Sequence, residues 1–258
     1  MNIAHVKMQH LPMLFQYEVN QSIQLRDQIL VKTSQGIEVG EVIKITKQSD
    51  ESKQLLNIVR LMNAHDVIQF NLQQDLEKEI MKYVKEQAFD LALDMTIIRV
   101  HISFDESFIL VEFESNQRID FRELVKRIST TYHARIEMKQ IGARDIAKIR
   151  GGIGPCGLLL CCSTFIGEFD AISIKMAKNQ SLSLNPQNIS GLCGKLLCCL
   201  KYEDETYQQL KKQMPTLGSV QESEYGLGKV IDVNYISRKA KLKHRDGYVQ
   251  WVDIQTQG

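Results

Sequence analysis

Short alternations of hydrophobic and polar residues dominate the first 50 positions of the chain. Ile29–Thr33 and Ile37–Ile45 are rich in β-branched residues and flank a turn at 34–36. Such runs around a turn are typical of paired β-strands. We therefore predict a β-rich, barrel-like N-terminal domain over residues 1–50. The polar run Gln48–Lys53 is expected to be a linker.

The middle of the chain combines both periodicities. Apolar spacing predicts a short helix over 54–66, and Asn71 with Gln74 resembles the capping box of a longer helix. Period-two strands, a second helix capped by Asp120, and a last strand over 135–141 are predicted next. The resulting order, α-β-β-α-β, indicates a small sheet covered by helices.

Strand patterns return after Pro215, with a hairpin turn at Asp246–Gly247. Basic and aromatic residues interleave there, an arrangement that suits single-stranded RNA and equally suits the basic edge of a small barrel. The second interpretation is favoured by the sequence alone. The residues concerned are Lys229, Arg238, Lys239, Lys241, Lys243 and Arg245, with Tyr225, Tyr235, Tyr248 and Trp251.

Together these elements predict an α+β protein: a small helix-on-sheet core with a cysteine-rich insertion and β-rich, barrel-like terminal segments. We expect three domains, at 1–50, 54–214 and 215–258, the second including a cysteine block at 151–200. The chain of 258 residues is 43% hydrophobic and 24% charged, with a net charge of +1, which is ordinary for a soluble globular protein.

No run approaches the roughly 18 apolar residues of a membrane span, and the polar N-terminus does not resemble a signal peptide. We therefore expect a cytoplasmic protein without a transmembrane segment. Cysteines stay reduced in the cytoplasm, where clustered ones bind metal or catalyse more often than they form disulfides.

All six cysteines lie in two copies of one phrase, G-x-C-G-x-L-L-C-C, at Gly154–Cys162 and Gly191–Cys199. A tetrahedral zinc site and a [4Fe–4S] cluster each take four ligands. Six thiols therefore complete one site with two left over, or begin two sites that another group or chain completes. The candidate ligands are Cys156, Cys161, Cys162, Cys193, Cys198 and Cys199.

Spacing alone leaves the metal open. The repeated C-x₂-C of zinc sites is absent, and the C-x₄-C step from Cys156 to Cys161 favours iron–sulfur without deciding it. Two further interpretations stay open: Leu-Leu-Cys-Cys as the buried face of a helix, and a set of structural disulfides.

The cysteine block carries an excess of positive charge. Basic side chains there would favour thiolates, contact a phosphate backbone or partner, or form an ordinary solvated helix face. The candidate partner or nucleic-acid surface comprises Arg144, Lys148, Arg150, Lys175, Lys178 and Lys195.

The same region resembles the YaaT/RicT family of bacterial regulatory proteins. The resemblance is dense over roughly 60 residues and agrees in layout with the whole chain. The matching segments are Arg144–Lys148, Gly151–Gly157, Leu160–Cys162, Ser173–Lys178, Leu184–Pro186, Ile189–Gly194 and Leu196–Glu203.

The resemblance implies a cytoplasmic non-enzyme that joins two small helical partners, RicA and RicF, in a complex carrying [4Fe–4S] clusters. That complex adjusts RNA processing with the endoribonuclease RNase Y, which this protein would contact directly or through the complex. The complex also affects sporulation, competence and biofilm formation. By the resemblance Cys161, Cys162 and Cys198 are the first ligands, followed by Cys156, Cys193 and Cys199.

Two other classes of function remain as alternatives: a structural zinc module that binds RNA, and a thiol–disulfide redox protein working through a vicinal cysteine pair. Nothing in the sequence pairs a nucleophile with a base. His101 and His133 have no acid or nucleophile at a suggestive spacing, so we expect them to be surface or capping residues.

Overall fold

The first five strands close into a barrel in the computed structural model. Their order around the barrel is β1-β2-β5-β3-β4, and β4 also pairs with β1. All pairings are antiparallel except that of β2 with β5. The strands are β1 (Asn2–Met8), β2 (Leu14–Glu18), β3 (Gln28–Thr33), β4 (Gly36–Lys47) and β5 (Leu56–Leu61).

Alternate side chains of these strands fill the barrel, among them Val6, Tyr17, Ile29 and Val42, all fully buried. The two predicted strands and their turn are confirmed as β3 and β4. Gly36 closes this turn at φ +119°, a conformation that favours glycine.

The structure describes residues 2–8, 14–19, 23–47, 56–167 and 171–254. The predicted linker at 48–53 lies outside these residues. The chain divides into two compact units, 1–151 and 152–258. The three domain boundaries expected from the sequence are not tested by this division and stay a prediction.

A helix-covered sheet follows the barrel within the first unit. The sheet order is β6-β7-β8, with β6 antiparallel and β8 parallel to the central β7. The predicted order α-β-β-α-β is confirmed by α1, β6, β7, α2 and β8. The elements are α1 (Ala64–Asp90), β6 (Thr96–Ile102), β7 (Phe108–Glu114), α2 (Arg122–Tyr132), β8 (Arg135–Gln140) and α3 (Ala143–Arg150).

Both helices bury one side against this sheet. Ile80 and Val84 of α1 and Leu124 and Ile128 of α2 are fully buried. The central strand β7 is buried on both faces from Phe108 to Phe113, and its residues Ile109, Val111 and Phe113 pack with the helices.

Two predictions about the start of α1 are wrong. The part of 54–66 that the structure describes contains the barrel strand β5, whose pairing with β2 and β3 outweighs its ambiguous apolar spacing. The capping box is formed by Asn63 and Asp66, whose side chains bond reciprocally to backbone N–H groups, and not by Asn71 and Gln74. At α2, the N-cap is Phe121 and the Asp120 carboxylate accepts from the N–H of Arg122.

The second unit joins short helices to a four-stranded antiparallel sheet of order β12-β11-β10-β9. Tyr207, Leu210 and Met214, in and just after α7, pack on one face of that sheet. The predicted hairpin at Asp246–Gly247 connects β11 and β12. The elements are α4 (Cys161–Thr164), α5 (Ile174–Asn179), α6 (Pro186–Ile189), α7 (Cys198–Gln213), β9 (Val220–Ser223), β10 (Gly226–Asn234), β11 (Lys239–Lys243) and β12 (Val249–Asp253).

The mixture of a barrel, a helix-covered sheet and a terminal sheet confirms the α+β class. Within the described ranges, no helix has the length and apolarity needed to cross a bilayer.

Candidate functional site

The two copies of the cysteine phrase adopt the same local fold. In the first, Gly154 N–H donates to Leu158 O and Gly157 N–H donates to Gly154 O. The corresponding bonds of the second copy run from Gly191 to Lys195 and from Gly194 to Gly191. Each turn is closed by a single antiparallel bridge, Ile153–Leu159 or Ser190–Leu196. The duplication seen in the sequence is therefore a duplication of structure.

Glycine is required at one equivalent position of each turn. Gly157 has φ +80° and Gly194 has φ +71°, in the left-handed region. The first cysteine of each copy folds back over the turn: a Cβ on Gly154 would lie 3.4 Å from Cys156 Sγ, and one on Gly191 would lie 3.8 Å from Cys193 Sγ.

The vicinal cysteines of each copy begin a helix. Cys161 is the first residue of α4 and Cys198 the first residue of α7, each after a leucine N-cap of similar conformation. Within this block Cys162 is buried and Cys156 is exposed, whereas the other four thiols are partly exposed. None of the six is in a disulfide in the described part of the chain.

The two copies contact each other. A Cβ on Gly152 would lie 3.3 Å from Leu192 Cδ2, and the rings of Phe165 and Tyr202 stand edge-to-face with centroids 5.1 Å apart. These contacts bring α4 beside the first turns of α7.

Thiols of both copies consequently share one neighbourhood. The pKa of Cys199 is raised mainly by burial, then by the charge of Glu203, and further by Cys161 and Cys156 of the other copy. Cys156 and Cys161 of the first copy thus act electrostatically on Cys199 of the second, and we call these three residues the mixed thiol group. The ligand set implied by the resemblance differs, since it contains Cys162 and Cys198 beside Cys161.

The segment between the copies supports α7. Gln180 Nε2 donates to Leu200 O over 2.7 Å, and Asn179 Nδ2 donates to the buried Asp204 over 2.9 Å. Ala177, Ile189 and Leu200 form a small core beneath these bonds. The first turns of α7, which carry Cys198 and Cys199, are therefore fixed against α5.

The donor set fits a soft metal centre, because thiolates select iron–sulfur clusters or zinc over magnesium and calcium. Six thiols outside any disulfide lie in one block, and thiols of both copies interact electrostatically. Among the residues whose positions are described, no three Cys, His, Asp or Glu side chains are grouped so as to hold a metal ion.

The predicted basic surface is divided between the units. Arg144, Lys148 and Arg150 lie on α3 in the first unit. Lys175 and Lys178 lie on α5, and Lys195 in the second cysteine turn, all exposed. The division leaves the six-residue surface a prediction.

One buried polar cluster was not expected from the sequence. His101 is bonded through Nδ1 to Glu77 and through Nε2 to Glu38, beside a cavity of about 190 Å³ in the first unit. The expectation of a surface histidine is wrong here, because its partners come from α1 and β4, far away in the sequence.

His133 is a capping residue as predicted, with φ 53° at the end of α2.

Comparison with known proteins agrees with these features. Residues 56–141 match the PSP1 C-terminal conserved region, and residues 171–214 match the third domain of PSP1-like proteins. The second match covers α5, the second cysteine copy and α7. No solved structure matches the chain.

The chain is also 38% identical over 239 residues to the Stage 0 sporulation protein YaaT of Bacillus subtilis. The match covers 89% of this chain and 86% of the relative, a share large enough to include the helix-covered sheet and the cysteine block. On this evidence the chain belongs to the YaaT/RicT family.

Proposed function

We propose that this protein is a cytoplasmic, non-enzymatic regulatory adaptor that supplies thiolates for one or more [4Fe–4S] clusters held together with other proteins. The clusters would be shared with RicA-like and RicF-like small helical proteins. The assembly would modulate RNA processing by RNase Y and thereby sporulation, competence and biofilm formation.

The observation that carries the proposal is the duplicated turn-and-helix structure with its odd supply of thiols. Each copy presents three cysteines, whereas a [4Fe–4S] cluster takes four ligands. A ligand from another chain would complete each set. The cytoplasm fits this arrangement, because it keeps thiols reduced.

Exposed apolar side chains beside the thiols support an interface at the same place. Ile153, Leu158, Leu159 and Leu192 are between 65% and 70% exposed. Large apolar side chains that are exposed together commonly mark a protein–protein contact. A partner that supplies a ligand would also cover these residues.

The link to development rests on family membership. The relative is named as a sporulation protein, and the match extends over most of both chains. The connection to RNase Y, and to RicA-like and RicF-like partners, follows from the family resemblance in the cysteine block.

The test is to purify the protein without oxygen, alone and co-expressed with its RicA-like and RicF-like partners. Iron, sulfide and zinc content would be measured together with the visible absorption spectrum. Equal iron and sulfide, mainly in the co-expressed sample, is the expected result. Stoichiometric zinc in the lone chain would instead establish the zinc module. Thiols without metal in both samples, with dithiol-dependent reductase activity, would establish the redox protein.

Serine variants separate the two candidate ligand sets. Loss of iron in Cys162→Ser and Cys198→Ser, with iron retained in Cys156→Ser and Cys199→Ser, would select the set implied by the resemblance. The reverse pattern would select the mixed thiol group. Cys161→Ser should lose iron in both cases. Exposed Ser183→Ala, in the same block, is the control.

A further inference from the structure

The two faces of the C-terminal sheet differ in what covers them. Val230, Ala240 and Leu242 point to the face on which α7 packs, and all three are buried. Since side chains alternate along a strand, Lys229, Lys241 and Lys243 point to the opposite face. We call this opposite face the lysine face.

Lysines on this face are not edge residues. The sheet order places β10 and β11 in the middle and β9 and β12 at the edges. Lys229 lies on β10, and Lys241 and Lys243 lie on β11. Protection of an edge strand, the explanation favoured by the sequence, therefore does not account for them.

Two of the lysines directly oppose each other. The register pairs Lys229 with Lys243, flanked by Val220 and Val249 on the outer strands. Like charges in directly opposed positions destabilise a sheet. Neither ammonium group forms an ion pair with any residue that the structure places. A bound anion between the two strands would remove the repulsion.

A partly exposed indole stands next to this pair. Trp251 is 46% exposed and lies directly opposite Lys241, whose Nζ is 5.8 Å from the ring centroid. The other aromatic residues of the segment are placed elsewhere: Tyr235 is buried, and Tyr225 contacts Tyr248 at the ends of the hairpins. Trp251 is thus the aromatic residue that shares the face with the lysines.

Acidic residues limit the area of positive charge on the lysine face. Lys239 is 3.5 Å from Asp253, Asp232 opposes Lys241, and Glu222 opposes Leu227. Positive charge is therefore confined to a narrow band next to one flat ring. A narrow band fits a single phosphate chain better than the broad surface of an anionic bilayer, which would also meet the acids.

We propose that the lysine face binds single-stranded RNA, with phosphates at Lys229 and Lys243 and a base stacked on Trp251. Lysines that follow the backbone, together with an aromatic ring that accepts any base, are the elements of binding without sequence preference. This site goes beyond the proposed function, because it lies on other residues than the thiols and needs no cluster.

The test uses the full-length protein and a fluorescent oligouridine of about 12 nucleotides, a length within the usual site sizes. Fluorescence anisotropy at several salt concentrations gives the affinity and its salt dependence. We expect Lys229→Gln/Lys243→Gln to weaken binding about tenfold or more. The slope of log affinity against log salt should fall by about 1.4, at about 0.7 for each phosphate that the variant no longer neutralises.

Removal of the indole ring of Trp251 should lower the affinity for RNA without changing its salt dependence. Trp251→Ala should weaken binding between about fivefold and a hundredfold with an unchanged salt slope, whereas Trp251→Phe should retain most of the affinity. The matched control is Lys211→Gln/Lys212→Gln, which removes the same charge from exposed positions near the end of α7. Its affinity should stay within about twofold of the wild type.

Three outcomes would overturn the proposal: wild-type affinity in the lysine-face variants, an equal loss in the Lys211/Lys212 control, or equal affinity for duplex RNA. Binding to phosphatidylglycerol vesicles without binding to RNA would assign the face to a membrane surface instead. The outcome is separable from that of the cluster test, because Cys161→Ser should bind RNA normally. Thermal unfolding of each variant would identify any decrease in affinity caused by misfolding.

Discussion

Nε2 of His101 lies 3.0 Å from Oε2 of Glu38, and its Nδ1 lies 2.9 Å from Oε1 of Glu77. Two ring nitrogens that each face a carboxylate both donate when the imidazole is protonated. Burial lowers the pKa of His101, but the bonds to Glu38 and Glu77 outweigh burial and raise the pKa to about 9. The imidazolium joins β4 of the barrel to α1 and β6 of the helix-covered sheet.

Stability of the first unit should therefore decrease in alkaline solution. Because the pKa of folded His101 exceeds its ordinary value of 6.5, the stabilisation is complete below pH 6.5 and disappears as the pH rises through about 9. The maximum loss is about 3 kcal/mol, from about 1.4 kcal/mol for each pKa unit. Chemical denaturation followed by circular dichroism at several pH values between 6 and 10 measures this decrease in the free energy of unfolding.

His101→Gln should be less stable than the wild type at pH 6 and should lose most of this alkaline dependence. The control is His133→Asn, at an exposed cap with φ 53°, where asparagine is tolerated. It should keep the wild-type pH profile. An identical profile in His101→Gln would show that the cluster does not hold a protonated imidazole.

The two glycines of the cysteine turns should be equivalent in mutagenesis. A Cβ at Gly157 or Gly194 would meet no atom within 4 Å, so the cost of alanine arises from the positive φ alone. We expect Gly157→Ala and Gly194→Ala each to lower the free energy of unfolding by about 1 kcal/mol, and asparagine to cost less. Urea denaturation followed by the fluorescence of Trp251, the single tryptophan, measures the second unit.

A clear difference between the two positions, or a cost above about 3 kcal/mol at one of them, would contradict the structural equivalence of the copies. The matched control is Gly191→Ala, because the φ of Gly191 is not in the left-handed region. It tests whether the loss in free energy of unfolding depends on a positive φ or arises at any glycine of the turn.

Local patterns predicted those elements whose faces differ in polarity or whose turns have their own signature. The strands β6 and β7 and the hairpin at Asp246–Gly247 belong to this class. The strand β5 does not, because its apolar residues fit a helix as well as a strand and its pairing partners decide between them. Asn63 caps α1 about two turns before the position expected from Asn71.

The candidate site was predictable in its composition and not in its arrangement. Repetition of the phrase identified all six thiols and both turns. That Cys199 of one copy neighbours Cys156 and Cys161 of the other depends on how α4 packs beside α7, which no spacing encodes. Local sequence patterns likewise do not identify the partners of His101, since Glu38 precedes it by 63 residues.

Asp204 should be critical for the support of α7. It is 7% exposed and accepts from Asn179 over 2.9 Å and from Gln208 over 2.6 Å. Asp204→Ala leaves the Asn179 amide without its acceptor and removes a link between α5 and α7. We expect a loss of about 2 kcal/mol in the free energy of unfolding, measured by urea denaturation with Trp251 fluorescence.

Glu205→Ala changes the neighbouring residue, which is exposed on the same helix, and should cost less than about 0.5 kcal/mol. Equal effects of the two substitutions would mean that the buried carboxylate contributes no more than helix propensity. Gln208→Ala should lie between them, because it removes one of the two bonds to Asp204.

Accessibility of the thiols should give an order of alkylation in the reduced, metal-free protein. Cys156 is exposed and Cys162 is 6% exposed, so we expect iodoacetamide to modify Cys156 at least about tenfold faster at about pH 7.5. Cys199 should react more slowly than Cys156, because burial and then the charge of Glu203 raise its pKa and reduce the thiolate fraction. Peptide mass spectrometry over time gives each rate.

The same reaction in concentrated urea is the control, since unfolding removes differences in exposure and should bring the rates of Cys156 and Cys162 within about threefold. Equal rates in the native protein would mean that the first turn of α4 opens readily and that Cys162 is not held in the interior. A slow native rate at Cys162 that becomes fast in Asp204→Ala would show instead that the α5–α7 support extends to α4, because α4 packs beside α7.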